Sequence, residues 1–163
     1  MSGLHERTLV LIKPDASARG LVGEIIARFE RKGLSIVGLR LGTIDRQTAE
    51  QHYADHASQP YFPRLIEFIT SGPVVVLCLE GYGAIGVARG LVGPTAGVKA
   101  PPGTIRGDFG LSGRKNLVHA ADSPETAQRE LAMWFKDGEL LAPGTGTGGA
   151  MREWVYGGDE RER

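Results

Sequence analysis

The chain has 163 residues, 41% of them hydrophobic, and 19 Lys and Arg balance 19 Asp and Glu. That is the length of one compact domain with an ordinary core, and zero net charge excludes a global field drawing nucleic acid or an anionic membrane surface. Cys78 is the only cysteine, which excludes an intrachain disulfide and any Cys/His zinc array. The N-terminus lacks a charged-then-apolar signal pattern, and no apolar run approaches the roughly 20 residues of a membrane span. A soluble, cytoplasmic protein is expected, and any phosphate affinity must come from a local cluster.

In chain order, residues 8–12 form a continuous apolar, partly β-branched run that stops at Lys13-Pro14, which predicts a buried strand with Lys13 at its end. Val22, Ile25, Ile26 and Phe29 recur at helical spacing, and Gly33 follows Arg31-Lys32 as a stop, giving a helix over 21–29. Residues 34–44 alternate as a half-exposed strand, and 47–55 and 63–70 read as short helices separated at Pro60. After Ser71-Gly72-Pro73, the run 74–79 is a third strand and 84–91 a helix.

Residues 93–115 are rich in glycine and proline, show no apolar period and lie inside the domain, the profile of a functional loop. A short run, 116–119, then leads into a helix capped by Asp122 or Ser123, with Pro124 at its first position, so His119 falls near a helix start. Residues 142–150 read as a flexible glycine-rich spacer, Trp154 as an anchor, and 157 onward as frayed. The domain is thus 1–141, with 142–163 as its spacer and tail. The order predicts an α+β fold, a ferredoxin-like βαββαβ sandwich with an antiparallel four-stranded sheet and added helices.

Two segments, 81–86 and 144–149, satisfy G-x-G-x-x-G, but 24 glycines make chance matches common. A dinucleotide site also requires a next strand ending in an acidic residue about 20 positions on, and there the chain has the proline-rich loop and Arg106. His52 and His56 stand four apart as a possible metal pair, yet Tyr53 occupies the place of the metalloprotease glutamate, and the segment reads as a solvated helix face. No G-x-x-x-x-G-K-[ST] is present, so side chains must hold any polyphosphate. Lys13, Arg89, Arg106 and Asn116 are the candidates, grouped with His119, an imidazole that is neutral near pH 7 and nucleophilic.

Residues 8–15 (Thr-Leu-Val-Leu-Ile-Lys-Pro-Asp), 103–109 (Gly-Thr-Ile-Arg-Gly-Asp-Phe) and Asn116-x-x-His119-x-x-Asp122-Ser123 together resemble the nucleoside diphosphate kinase family, over about 6–135. Glu153-Trp154-Val155-Tyr156 resembles the family's C-terminal end. The resemblance implies a ping-pong reaction. A nucleoside triphosphate such as ATP gives its γ-phosphate to His119, and a nucleoside diphosphate takes it away. It implies that Lys13, Arg89 and Arg106 neutralise phosphate oxygens, that Thr95 and Asn116 add hydrogen bonds, and that Glu130 holds the other imidazole nitrogen. Tyr61, where the family usually has phenylalanine, would sandwich the base together with Leu65. Mg2+ would ride on the nucleotide phosphates, with no protein metal cage. A homo-oligomer, hexamer or tetramer, is implied as well.

The chain departs from the family where His119-Ala120-Ala121-Asp122-Ser123 replaces His-Gly-Ser-Asp-Ser, which removes a hydroxyl near the catalytic carboxylate. A hydrogen bond to a charged group contributes about 1.5–3 kcal/mol, so an active but slower enzyme is expected. Thr95-Ala96-Gly97 stands for Thr-Asn-Pro, and Gly113-Arg114-Lys115 for an apolar residue followed by Gly-Arg. The competing readings are a nucleotide-binding module that has lost catalysis and, on 81–86 alone, a nicotinamide-dependent oxidoreductase.

Overall fold

A computed structural model describes residues 5–148; the expectations for residues 153–156, with Trp154 as anchor, and for 157 onward fall outside the described residues. The strands are β1 His5–Ile12, β2 Ser35–Gly42, β3 Val74–Tyr82 and β4 Val118–Ala120. The helices are α1 Pro14–Ala18, α2 Val22–Arg31, α3 Arg46–His52, α4 Phe62–Ile69, α5 Ala84–Val92, α6 Ile105–Phe109 and α7 Pro124–Trp134. Short 3-10 turns cover Ala54–His56 and Gly97–Lys99. The sheet order is β2-β3-β1-β4, and all three pairings are antiparallel. This is the expected ferredoxin-like βαββαβ core with added helices.

The continuous apolar runs of β1 and β3 arise because both faces of the sheet are covered. Val10, Ile12, Val75, Leu77 and Leu79 face one core with Ile25 and Phe29 of α2 and Ala84 and Ala88 of α5. Leu9, Leu11, Val74, Val76 and Cys78 face a second core, with Ile66 and Ile69 of α4 and Trp134 of α7. The outer strand β2 is half exposed as expected, but by halves and not by alternation: it is buried at its start and exposed from Leu39 to Gly42.

Three expectations change. β1 begins at His5, three residues earlier than its apolar run, because Arg7 is held in the sheet by Glu80 of β3 at 2.8 Å. The loop 93–115 contains α6, whose N-cap Thr104 accepts a hydrogen bond from the Gly107 amide. The spacer is tied down as far as it is described: Leu141 N donates to Val37 O at 2.8 Å, Gly144 N to Glu80 Oε1 at 2.8 Å, and Thr147 N to Ile36 O at 3.0 Å. A side chain at position 146 would strike the Ile36 carbonyl, so glycine there permits the close approach.

The dinucleotide reading of 81–86 fails on topology. Those residues end β3 and enter α5 through Gly83, at φ 57, and β3 is antiparallel to both its neighbours, so no parallel βαβ unit exists there.

Candidate active site

β4 places the histidine. Val118 and Ala120 point into the first core, so His119 between them turns to the opposite face, in register with Leu11 of β1. It thus sits on the short edge strand five residues before α7 begins. Ser123 caps that helix, its side chain accepting from Thr126 N, and Ala127, Glu130 and Trp134 form its buried face.

Glu130 meets His119 with both oxygens, at 2.9 and 3.0 Å from Nε2. Burial first, then the charges of Lys13, Arg89 and Arg106, lower His119 to about 3, so the ring is neutral at pH 7. Burial raises Glu130 to about 7. With Glu130 ionised, the proton resides on Nε2 and is donated to the carboxylate, which leaves the lone pair on Nδ1.

The chain before His119 turns sharply. Leu117 has φ 73, and Val118 N donates to Asn116 O at 2.8 Å, closing a three-residue γ-turn. Its strain, on the order of 1–3 kcal/mol, is held by a fully buried Leu117 side chain and by Asp15, which accepts the Leu117 amide at 3.1 Å. Arg106 braces the same turn. Its guanidinium donates to Asn116 O at 3.1 Å, Gly93 O at 2.9 Å and Val118 O at 2.6 Å. Burial, then the Arg89 charge, brings Arg106 down to about 10.

Lys13 stands at the end of β1, as expected, and its Nζ donates to Asn116 Oδ1 at 2.7 Å. Burial and the Arg106 charge lower it to about 8, so it remains mostly charged at pH 7. Both Asn116 amide hydrogens are engaged, with Thr95 O at 3.1 Å and Gly113 O at 2.9 Å. Asn116 therefore orients Lys13 and ties two loop segments together. Arg89 of α5 reaches the Ala120 carbonyl at 3.4 Å.

Lys13, Tyr61, Arg89, Thr95, Arg106, His119 and Glu130 line one cavity of about 870 Å³, with Asn116 directly behind Lys13. Such a volume accommodates a nucleotide-sized ligand. Tyr61 and Leu65 lie on its lining too, and Tyr61 is exposed. Ala121 is fully buried against Ile85 and Ala127, and among the described residues no hydroxyl reaches Glu130.

Sequence reasoning placed residues 52–56 on a solvated face; the structure bears this out for 54–56, which are exposed, and overturns it for His52 and Tyr53. His52 is 7% exposed and Tyr53 5%, and both line the cavity, each ring edge-on to His119 at 4.6 and 6.1 Å between centroids. His52 Nδ1 accepts from Trp134 Nε1 at 3.2 Å, and burial lowers it to about 3. The Tyr53 hydroxyl is buried with no hydrogen-bond partner among the described residues. The adjacent imidazole and aromatic ring at 52 and 53 were the available signal for burial, whereas the His56 ring stays exposed. His52, His119 and Glu130 are the one group of three metal-capable side chains among the described residues. Within it, His119 and Glu130 hydrogen bond directly at 2.9 Å as an imidazole–carboxylate pair.

The family model for nucleoside diphosphate kinase matches residues 6–140. A nucleoside diphosphate kinase of Staphylothermus marinus is 57% identical over 136 residues, 83% of this chain and 96% of the relative. One from Archaeoglobus fulgidus is 51% identical over 151 residues, 93% and 97% of the two chains. Among solved structures, the Halobacterium salinarum nucleoside diphosphate kinase in complex with CDP superposes with a TM-score of 0.87 at 43% identity, covering 93% of this chain and 98% of the other. An Aquifex aeolicus nucleoside diphosphate kinase gives 0.81 at 41%, covering 84% and 99%. Matched by the family model over most of its length, and to these proteins in sequence and fold, the chain belongs to the nucleoside diphosphate kinase family of phosphotransferase enzymes.

Proposed function

We propose that His119 is the phosphoryl carrier of this family member, moving the γ-phosphate of a nucleoside triphosphate to a nucleoside diphosphate in two steps. The observation that carries this reading is the His119 Nε2 contact with both Glu130 oxygens, at 2.9 and 3.0 Å, in a cavity lined by Lys13, Arg89 and Arg106. In the first step Nδ1 attacks the γ-phosphorus, an N–P bond forms, the bridging P–O bond breaks, and the nucleoside diphosphate leaves. In the second, a β-phosphate oxygen of the acceptor attacks the same phosphorus and the N–P bond breaks. Glu130 keeps the proton on Nε2 throughout and stabilises the cationic phosphohistidine.

Lys13, Arg89 and Arg106 neutralise the charge that spreads over the equatorial oxygens, from positions fixed before substrate arrives. Thr95 adds a hydroxyl donor. The unpartnered Tyr53 hydroxyl on the cavity lining gains its missing acceptor from the transferred phosphoryl group. Tyr61 and Leu65 take the base by stacking and apolar contact, which reads no base edge. Mg2+ bound to the substrate's phosphates supplies charge neutralisation; the engaged His119–Glu130 pair suits entry of the ion with the nucleotide.

The enzyme acts in the cytoplasm in this reading, in keeping with the single buried cysteine, and no helix among the described residues is long and apolar enough to cross a membrane. It assembles as a homo-oligomer, a hexamer or else a tetramer. Leu41, Val98 and Leu111, 70%, 71% and 86% exposed, offer apolar surface for that contact.

Incubation with γ-labelled ATP tests the chemistry. The expected result is an acid-labile, base-stable label on the protein, discharged by any nucleoside diphosphate. No label on the wild-type chain, or undiminished label in His119→Ala, would overturn the proposal.

A further inference from the structure

Tyr61 is 43% exposed at the cavity, and its ring carries a hydroxyl that stacking alone does not require. That hydroxyl lies 2.8 Å from His56 Nδ1, with the two ring centroids 5.9 Å apart. In the Nε2–H tautomer of His56, the tyrosine O–H donates to Nδ1. His56 ends the 3-10 turn Ala54–His56, whose amide donates back to Tyr53 O at 2.8 Å. Its neighbour Asp55 pairs at 2.8 Å with Arg129 of α7, the residue before Glu130. From Tyr61 the rings continue through His56 to Tyr53 at 6.1 Å, and from Tyr53 to His119 at another 6.1 Å.

We propose that His56 is a positioning residue for nucleotide binding: through its hydrogen bond to Tyr61 it fixes the ring plane on which the base stacks, at a set distance from the phosphoryl carrier. The inference rests on the reading of Tyr61 as the base platform given above. An aromatic side chain exposed at a cavity rim samples several rotamers, and a ligand that stacks on it must stop that motion. A ring already held removes this ordering cost from binding. His56 sits on the same short turn that Arg129 ties to α7, so the platform and Glu130, which holds the carrier, share one support. The bond acts at the base end only. It therefore governs how tightly nucleotides bind, and leaves untouched the transfer step and any ligand without a base.

The test compares Tyr61→Phe, His56→Leu, the double variant and His56→Gln, which retains a hydrogen-bonding side chain. Enzyme phosphorylation by ATP is followed by rapid quench, and inorganic tripolyphosphate serves as a competing ligand that lacks a base. Loss of one ordinary hydrogen bond predicts a KM for ATP raised about three- to tenfold in each single variant, with kcat changed less than about twofold. Inhibition by tripolyphosphate should be unchanged, the double variant no weaker than the worse single one, and His56→Gln partly restored. An unchanged KM in both single variants, additive losses in the double, or a parallel loss of tripolyphosphate inhibition would overturn the inference. Those outcomes leave the phosphohistidine reading standing, whereas a wild-type enzyme that takes no label overturns that reading itself.

Discussion

Replacing Glu130 by glutamine keeps the shape of the group that holds His119 and removes its charge. In the wild-type site two carboxylate oxygens lie 2.9 and 3.0 Å from Nε2. A hydrogen bond to a charged group contributes about 1.5–3 kcal/mol and a neutral one about 0.5–1.5, so the substitution loses about 1–1.5 kcal/mol, or about five- to tenfold in the rate of phosphorylation. Glu130→Ala loses the whole interaction, about 10- to 150-fold. The pH profile is the sharper readout. Burial raises Glu130 to about 7, and once protonated it no longer accepts the Nε2 proton; the tautomer with the lone pair on Nδ1 then loses its support. Wild-type kcat/KM should therefore fall as pH drops through about 7, and the glutamine variant, which cannot titrate there, should lack that acid limb. Stopped-flow phosphorylation between pH 5 and 9, with the fold checked by circular dichroism, decides it. An acid limb that persists at the same pH in Glu130→Gln would refute the assignment and move the titration to another group.

At the alkaline end, Lys13 is lowered to about 8, so its charge is present below that value and lost above it; kcat/KM should decline above about pH 8, and Lys13→Arg, which does not titrate there, should abolish the decline at a reduced rate. Gly107→Ala drives a methyl group into the Pro101 carbonyl, a backbone atom that cannot move aside. Thermal melts should show a loss of about 1–3 kcal/mol, and labelling should slow because α6 also carries Arg106. Ser123→Ala removes the α7 cap and should lower stability by about 1 kcal/mol, a Tm decrease of about 2–4 °C by calorimetry, with phosphorylation retained.

How much of this was legible in the sequence follows from where the signal resided. Strands β1 and β3 are buried on both faces and announce themselves as unbroken apolar runs, and α7 carries its cap, its proline and its periodicity locally. The first residues of β1 were not legible because they earn their place through partners distant in sequence, as Arg7 does with Glu80. Helix α6 was hidden for a related reason: five residues containing Gly107 show no apolar period, and the helix is fixed by Thr104 and by the three carbonyls that Arg106 bridges. Of the site, the residues joined by local motifs were found, and their convergence on one cavity is what the fold adds. His52 and Tyr53 escaped because helical spacing alone cannot tell a polar face turned to solvent from one turned to a polar cavity.

The segment that docks along β2 has a consequence for how this sheet meets other chains. An outer strand exposes a row of unused amides and carbonyls, a template for strand addition by a second molecule. Here Ile36 spends both its amide and its carbonyl on Thr147, and the Val37 carbonyl is taken by Leu141. The chain thereby guards the start of its own edge and leaves strand addition only the stretch from Gly38 to Gly42, where Leu39 and Leu41 are exposed. Any strand that pairs with β2 from outside is thereby confined to those five residues, and so to a narrow register.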